Sequence, residues 1–195
     1  DAARKRLIFQ AGHRDQEMMR QVDGRRIERH PAILAVNMPP SPEPRYPRGL
    51  VWFRRDLRAH DQAALYHALT RCEQVFCAFV FDKEILDALP RADRRVEFIR
   101  ESLVELDDTL RALSGREKGG LIVQHAVASD AIPALASALD VQAVFANHDD
   151  ELQALDRDRL VRTRLAATGK AFHTFKDHTL LERSEVLTQT GKPYS

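Results

Sequence analysis

Cysteine is scarce in this 195-residue sequence, which contains only Cys72 and Cys77. Two cysteines cannot supply the disulfide framework of a small secreted protein, and no further cysteine completes a zinc site with them. Long apolar runs are also absent: no stretch reaches about 18 apolar residues, and the N-terminus lacks the apolar core of a secretory signal. We therefore expect a reduced, cytoplasmic protein that does not associate with a membrane.

Glycine is equally sparse, with eight residues in the whole chain. None of them lies in the loop after the first predicted strand, where a nicotinamide-binding Rossmann protein needs glycines to approach a pyrophosphate. The sequence has no phosphate-binding G-x-x-x-x-G-K-[ST] loop and no G-x-S-x-G nucleophile elbow. Its eight histidines never occur as an i, i+4 pair. Dehydrogenase, NTPase, serine hydrolase and metal-site interpretations are thereby disfavoured, and we expect no metal site.

Proline and charge divide the chain near residue 48. Residues 31–47 hold six of the nine prolines, and residues 1–48 carry ten Lys and Arg against six Asp and Glu, a net charge of +4. Residues 49–195 have a net charge of −3. We interpret residues 1–48 as a Pro-rich extension and linker that is expected to be disordered. A basic arm that touches DNA is an alternative, and a sharper hypothesis takes Met38 as the biological start.

From residue 49 onward, apolar runs alternate with helical patterns. The helical pattern with the clearest period places apolar residues three and four positions apart from Val96 to Leu113, on one stripe. Asp61, Ser129, and either Asp149 or Asp150 are expected to cap three further helices. Five runs have the composition of buried strands; they are residues 50–53, 74–81, 121–123, 141–145 and 171–175.

This alternation predicts an α/β fold: a Rossmann-like, five-stranded parallel sheet with helices on both faces. Ligands of such sheets bind beyond the carboxyl ends of the strands. The first strand ends in a charged cluster, Arg54, Arg55, Asp56 and Arg58. In a structural interpretation, Asp56 forms ion pairs with the flanking arginines and fixes the loop. In a functional one, a guanidinium projects into the crevice to bond or stack on a ligand.

The residues around this cluster resemble the DNA photolyase and cryptochrome family. The run VWFRRDLR at residues 51–58 is similar to the family's first strand and loop, and FVFD at residues 79–82 to its second strand. The pattern Asn147-x-Asp149-x-Glu151 resembles the exit of its fourth strand. Further matches lie at residues 95–99, at 157–158 and in GKPYS at 191–195. The resemblance covers residues 49–195.

The resemblance implies that residues 49–195 form the N-terminal antenna domain of a deoxyribodipyrimidine photolyase. Such an enzyme repairs cyclobutane pyrimidine dimers in UV-damaged DNA by light-driven electron transfer from reduced FAD. We expect the FAD-binding helical domain to lie outside this chain, which alone would contain no catalytic residue and would be a monomer. One alternative is a cryptochrome-like blue-light photoreceptor without repair activity, and another is a stand-alone nucleotide-binding module.

The family's antenna domain holds a light-harvesting chromophore, and the resemblance indicates which kind. Folate-type relatives have an Asn-Glu pair where this sequence has Gln153 and Ala154, so a deazaflavin-type or FMN chromophore is favoured over folate. The positions that match the deazaflavin-type site imply six cofactor-binding residues, although each also has an ordinary interpretation as a loop ion pair or helix cap. These residues are Arg55, Phe81, Asp82, Arg95, Asp149 and Glu151.

Overall fold

The computed structural model describes residues 45–90, 92–115 and 119–179. The predicted extension spans residues 1–48, and its first 44 residues, like the family-like segment at residues 191–195, lie outside the described residues. Its last three residues, Tyr46 to Arg48, form the start of a strand and not a linker. The described residues form ten elements, five strands and five helices. The strands are β1 (Tyr46–Phe53), β2 (Cys72–Asp82), β3 (Leu121–Ala126), β4 (Ala143–Asn147) and β5 (Ala171–Phe175). The helices are α1 (Ala63–Arg71), α2 (Lys83–Leu86), α3 (Arg94–Ser114), α4 (Ala128–Ala138) and α5 (Leu152–Ala167).

The five strands form one parallel sheet in the order β3-β2-β1-β4-β5, which confirms the predicted fold class. β1 lies at the centre, so that Leu50 is in register with Phe76 of β2 and with Val144 of β4. The direction of strand progression reverses between β1 and β4. In parallel α/β sheets, the crevice beyond the carboxyl ends of such a strand pair is the usual place for a ligand.

Helices cover both faces of the sheet because its strands are apolar on both sides. One core contains Leu50 and Trp52 of β1 together with apolar residues of α4 and α5. The other core contains Val51 and Phe53 with apolar residues of α1 and α3. The predicted stripe of α3 is buried at Leu103, Leu106 and Leu110. It does not extend to the helix end, since Leu113 is 58% exposed.

Three of the predicted helix caps differ in the structure. α1 is capped by Gln62, whose side chain accepts a hydrogen bond from the backbone N–H of Leu65. α4 begins at Ala128, before the predicted cap Ser129, and the Ala128 N–H donates to Asp82 at the end of β2 (3.3 Å). The residue before α5 is Glu151, whose own N–H donates to the carboxylate of Asp149 (3.3 Å). The end of β2 is thus hydrogen-bonded to the first residue of α4, and Asp149 in the loop after β4 to the residue before α5.

Candidate functional site

A cleft of about 670 Å³ lies at the carboxyl edge of the sheet. Its walls come from the ends of β1 and β2, from the loop after β4, and from residues of α2, α3, α4 and α5. This volume falls within the roughly 300–1,000 Å³ that small-molecule sites occupy. The six residues that the sequence proposed for a chromophore all line it: Arg55, Phe81, Asp82, Arg95, Asp149 and Glu151.

Arg55, Asp149 and Glu151 form one charged group at this cleft. The Arg55 guanidinium contacts Glu151 in a close ion pair and lies 3.6 Å from the Asp149 carboxylate. The hydrogen bond to Glu151 raises the pKa of Arg55, and the negative charge of Asp149 acts in the same direction. Arg55 and Glu151 are mostly exposed, whereas Asp149 is buried. The group therefore combines a buried carboxylate with a cation that solvent or a ligand can reach.

Asp82 is a second buried carboxylate of the cleft, at the end of β2. It accepts hydrogen bonds from the backbone N–H groups of Glu84 (3.2 Å) and Ala128 (3.3 Å). These bonds place Asp82 at the N-termini of α2 and α4, where the helix dipoles favour a negative charge. Asp82 is thus both a helix-capping residue and a wall of the cleft.

Arg95 lines the cleft without joining the group of Arg55, Asp149 and Glu151. Its guanidinium donates to Asp93, two residues earlier in the chain, at 2.6–3.2 Å, and its side chain is 71% exposed. The same bonds lower the pKa of Asp93 to about 2. Arg95 therefore forms a local ion pair at the start of α3.

Aromatic side chains supply the apolar part of the walls. Phe79 and Phe81 of β2 contact each other edge to face, with 5.0 Å between ring centroids. Phe79 is buried, and Phe81 is partly exposed. Trp52 of β1 also lines the cleft and is buried beneath two guanidinium groups, those of Arg54 (4.9 Å to the ring centroid) and Arg157 (5.1 Å). A planar ring system has aromatic surface to pack against here.

The arginine cluster after β1 is arranged differently from the structural interpretation made from sequence. Asp56 accepts hydrogen bonds from the Arg54 backbone N–H (3.1 Å) and from the side-chain amides of Gln62 and Asn147. Its neighbouring arginines pair with more distant carboxylates instead. Arg54 pairs with Asp158, Arg55 with Asp149 and Glu151, and Arg58 with Asp177. Asp56 has a short side chain and lies two residues or fewer from Arg54, Arg55 and Arg58, so it accepts from the loop backbone. The long side chains of the arginines reach carboxylates on neighbouring elements.

Arg157 is a cleft residue that the sequence-based site did not include. It lies on α5, and its side chain is only 11% exposed. Burial lowers the pKa of its guanidinium, and the nearby Arg54 lowers it further. Gln153, Ala154 and Arg157 occupy positions i, i+1 and i+4 of α5 and all line the cleft. That helical spacing is the sequence signal that could have identified Arg157.

The cleft offers charged and aromatic side chains to a ligand. Among the described residues that line it there is no histidine, serine or cysteine, and its ionisable side chains are carboxylates and arginines. Within the described part of the chain, no cluster of His, Cys, Asp and Glu could hold a metal ion. No helix there is long and apolar enough to cross a membrane. Fixed charges around an aromatic wall suit a planar ligand with hydrogen-bonding edges.

Comparison with known proteins shows which family this chain is similar to. The model of the DNA photolyase family, "DNA photolyase", matches residues 49–195. A deoxyribodipyrimidine photo-lyase of Halobacterium salinarum is 36% identical over 155 residues, covering 75% of this chain and 31% of the relative. Cryptochrome-1 of Arabidopsis thaliana is 33% identical over 152 residues, covering 75% of this chain and 21% of the relative. The chain thus spans less than a third of the length of these relatives.

A solved structure has the same architecture. The photolyase of Sulfolobus tokodaii superposes with a TM-score of 0.64 at 29% identity, over 72% of this chain and 32% of that one. That photolyase was crystallised with two FAD molecules, which imply a novel light-harvesting cofactor in that protein.

Proposed function

Because the chain belongs to the DNA photolyase family, we propose that it is an antenna domain whose cleft binds a planar chromophore of the flavin or deazaflavin type. When bound, such a chromophore absorbs light and passes the excitation energy to a catalytic flavin. The observation that carries the proposal is the cleft itself, where charged residues from β2, α3 and the loops after β1 and β4 surround aromatic walls.

The residues present fit such a ligand. Arg55 and Glu151 are exposed enough to bond to its polar edge, while Asp82 and Asp149 are held in place by backbone N–H groups. Phe81 offers partly exposed aromatic surface for its ring face. The second FAD of the Sulfolobus tokodaii photolyase supports a flavin-type ligand, because that protein shares the fold.

A folate chromophore fits less well. A pterin carries an amide and an amine that a carboxylate recognises well, and folate-type relatives are expected to supply an Asn-Glu pair for them. Here the corresponding positions are Gln153 and Ala154, both of which line the cleft. Ala154 has no polar side-chain atom, so the pterin would lose its carboxylate partner.

At the level of the whole protein, we propose that the domain serves a deoxyribodipyrimidine photolyase that repairs pyrimidine dimers in UV-damaged DNA with reduced FAD. The Halobacterium salinarum relative favours this function. The match to cryptochrome-1 of Arabidopsis thaliana favours a second candidate, a photoreceptor without repair activity. Light-dependent repair of a thymine-dimer oligonucleotide by the longer protein that contains this domain and a flavin domain distinguishes the two, since a photoreceptor leaves the dimer intact.

Binding to the cleft is tested by titrating the 195-residue chain with FMN, 8-hydroxy-5-deazariboflavin and methenyltetrahydrofolate, and following fluorescence. We expect saturable binding of a flavin or deazaflavin and weaker binding of the folate. Arg55→Ala removes a charge-assisted hydrogen bond and is expected to weaken binding by about tenfold to a hundredfold.

The matched control is Arg48→Ala. Arg48 is a half-exposed arginine of β1 that pairs with Asp140, outside the cleft. Equal affinity of wild type and Arg55→Ala would make Arg55 a structural residue. Failure of both flavin-type ligands to bind would refute the proposed function of the cleft.

A further inference from the structure

Arg157 is a buried arginine whose hydrogen-bonding capacity is not used within the described protein. Its Nε and Nη2 are buried and have no hydrogen-bond partner there. Three carboxylates surround the guanidinium at ion-pair distance, Asp82 at 3.8 Å, Asp149 at 3.7 Å and Asp158 at 3.8 Å. These distances exceed the range of a hydrogen bond. The charge of Arg157 is therefore compensated, but its donors are not satisfied.

Arg54 shows what a structural arginine does in the same place. Both guanidinium groups lie over the ring of Trp52. Arg54 donates twice to Asp158 (2.6 and 2.8 Å) and also to the backbone carbonyl of Asn147. Its side chain is 6% exposed, so burial alone does not prevent an arginine from finding partners in this region. The two arginines differ in that Arg54 has hydrogen-bond acceptors within reach, whereas Nε and Nη2 of Arg157 have none among the described residues.

The carboxylates beside Arg157 are directed to other groups. Asp82 accepts from the N–H groups of Glu84 and Ala128, and Asp149 accepts from the N–H of Glu151. Asp158 is bonded twice to Arg54. An acceptor that enters the cleft can therefore bond to Arg157 without breaking a hydrogen bond that Arg157 already makes. Leaving buried donors unsatisfied costs free energy. Because Nε and Nη2 are themselves inaccessible, the guanidinium must turn toward such an acceptor to recover that cost.

We propose that Arg157 is a ligand-binding residue of the cleft, which donates hydrogen bonds to a carbonyl or anionic oxygen on the edge of the bound ring system. This inference rests on the proposed function of the cleft and identifies the polar edge that the ligand must have. Arg157 is the cleft residue of α5 that carries a charge, since Gln153 and Ala154 are neutral. A guanidinium also presents its donors in a planar fork, which matches a flat ligand edge.

The test compares Arg157→Gln with Arg159→Gln in the full 195-residue chain. Arg159 lies on the same helix, is 79% exposed and pairs with Asp156. Affinity for FMN and for 8-hydroxy-5-deazariboflavin is measured by fluorescence titration, and folding is monitored by thermal unfolding. We expect Arg157→Gln to weaken binding by about tenfold to a hundredfold and Arg159→Gln to leave it unchanged.

A second readout separates recognition from a structural role. A cation beside a ligand oxygen favours the deprotonated ligand, while the nearby carboxylates of Asp82, Asp149 and Asp158 oppose deprotonation. The contribution of Arg157 is therefore the difference in ligand pKa between wild type and variant. The absorbance of the bound chromophore against pH reports this pKa. We expect the pKa of the bound chromophore to be higher in Arg157→Gln than in the wild type, by about one pH unit. Arg157→Lys, which retains the charge but loses the fork, should restore the pKa more than the affinity.

The outcomes are distinguishable. If the wild type binds a flavin-type ligand and Arg157→Gln binds it with the same affinity and the same ligand pKa, the role of Arg157 is disproved while the function of the cleft stands. If the wild type binds neither ligand, both proposals are wrong. Should Arg157→Gln fail to fold, Arg157→Lys decides the matter: an unchanged affinity for both ligands overturns the inference.

Discussion

Two arginines, Arg54 and Arg157, lie over the ring of Trp52, and their roles differ. The Arg54 guanidinium donates three hydrogen bonds, whereas Nε and Nη2 of Arg157 have no hydrogen-bond partner among the described residues. The loop after β1 is thus fixed by Arg54, and the cleft retains the donors of Arg157. The arginines after β1 are neighbours in sequence but have different partners, because each guanidinium reaches a different part of the structure.

The Arg54–Asp158 pair provides a stability prediction. Asp158→Ala leaves Arg54 buried without its carboxylate, and removing one partner of a buried pair costs about 3–5 kcal/mol. We expect a loss of this size in the free energy of unfolding, measured in urea. Asp156→Ala is the control, because Asp156 is exposed on the same helix, and its effect should stay within about 0.5 kcal/mol. Equal effects of the two substitutions would contradict a structural role for the pair.

The two thiols lead to a prediction about reactivity. Burial raises the pKa of Cys72 to about 12 and raises that of Cys77 as well. The thiolate is the reactive form, so both cysteines of the native protein should react slowly with a disulfide reagent at pH 8. In denaturant, where the thiols regain their ordinary pKa, both should react at once. Rapid labelling of the native protein at pH 8 would show that the thiols are not protected.

The same pKa shifts predict how stability depends on pH. The folded protein keeps these thiols protonated above pH 9, where the unfolded chain releases their protons. The unfolded state then binds fewer protons than the native state, so the free energy of unfolding falls as pH rises above about 9. Urea unfolding at a series of alkaline pH values measures this decline. A constant stability from about pH 8 to pH 11 would disagree with the burial of both thiols.

Residues of the candidate site were predictable from sequence to different degrees. Arg55, Asp82 and Asp149 follow or end strands, so the topology alone places them at one edge of the sheet. The partner of Arg95 was not predicted. Its guanidinium pairs with the nearby carboxylate of Asp93 and not with a residue of the cleft. The helical spacing of Arg157 from Gln153 and Ala154 was a usable signal, but its burial and the lack of hydrogen-bond partners for its Nε and Nη2 among the described residues are not visible in a sequence. Whether these residues bind a chromophore stays a prediction.

At the scale of the elements, the turn before β3 depends on one glycine. Gly120 has a φ of +149°, and a Cβ at this position would lie 2.3 Å from the Asp107 carboxylate. That carboxylate accepts a hydrogen bond from the Leu121 N–H (2.6 Å), which joins α3 to the start of β3. We expect Gly120→Ala to lower the free energy of unfolding by about 2–4 kcal/mol, through the lost bond and the strained φ.

Gly169→Ala is the comparison for this prediction. Gly169 also has a positive φ, +70°, but a Cβ there meets nothing within 4 Å. Its substitution should cost only the left-handed backbone strain, about 1–2 kcal/mol. If thermal unfolding shows the same loss for both variants, the contact between α3 and β3 contributes little.

The elements were more predictable from sequence than their starting points. Apolar runs and helical periods indicated five strands and the long helix α3, because burial on both sheet faces leaves a strong pattern. The helix starts were less accurate. Ser129 is a good capping residue by composition, yet Asp82, from a strand that ends far earlier in the chain, accepts the Ala128 N–H. A cap supplied by tertiary contact leaves no local signal.

For the whole molecule, the charge distribution predicts weak DNA binding by the 195-residue chain. Residues 49–195 carry a net charge of −3, so the counterion release that drives binding to phosphates is small. We expect a dissociation constant above about 1 μM for a thymine-dimer duplex, weakening further with salt. Fluorescence anisotropy at two salt concentrations measures this. Submicromolar affinity at physiological salt would mean that a local basic surface dominates.

Repair activity gives a second prediction at this scale. We expect the 195-residue chain to bind no catalytic FAD and to repair no thymine dimer under blue light, since the resemblance places the redox site in another domain. The measurement is recovery of intact thymine in an irradiated oligonucleotide. A longer protein that contains the flavin domain is the positive control, and repair by the 195-residue chain would overturn this division of roles.

The central position of β1 also determines the order in which the sheet can be completed during synthesis. β2 follows β1 after one helix and covers one edge of it early. The other edge, Gly49 to Val51, pairs with Ala143 to Phe145, which leave the ribosome much later. Until then β1 presents an apolar, unpaired edge that can pair with other chains. A nascent chain that stalls before β4 is therefore the form of this protein most prone to aggregate, and a chaperone that protects it should act in that interval.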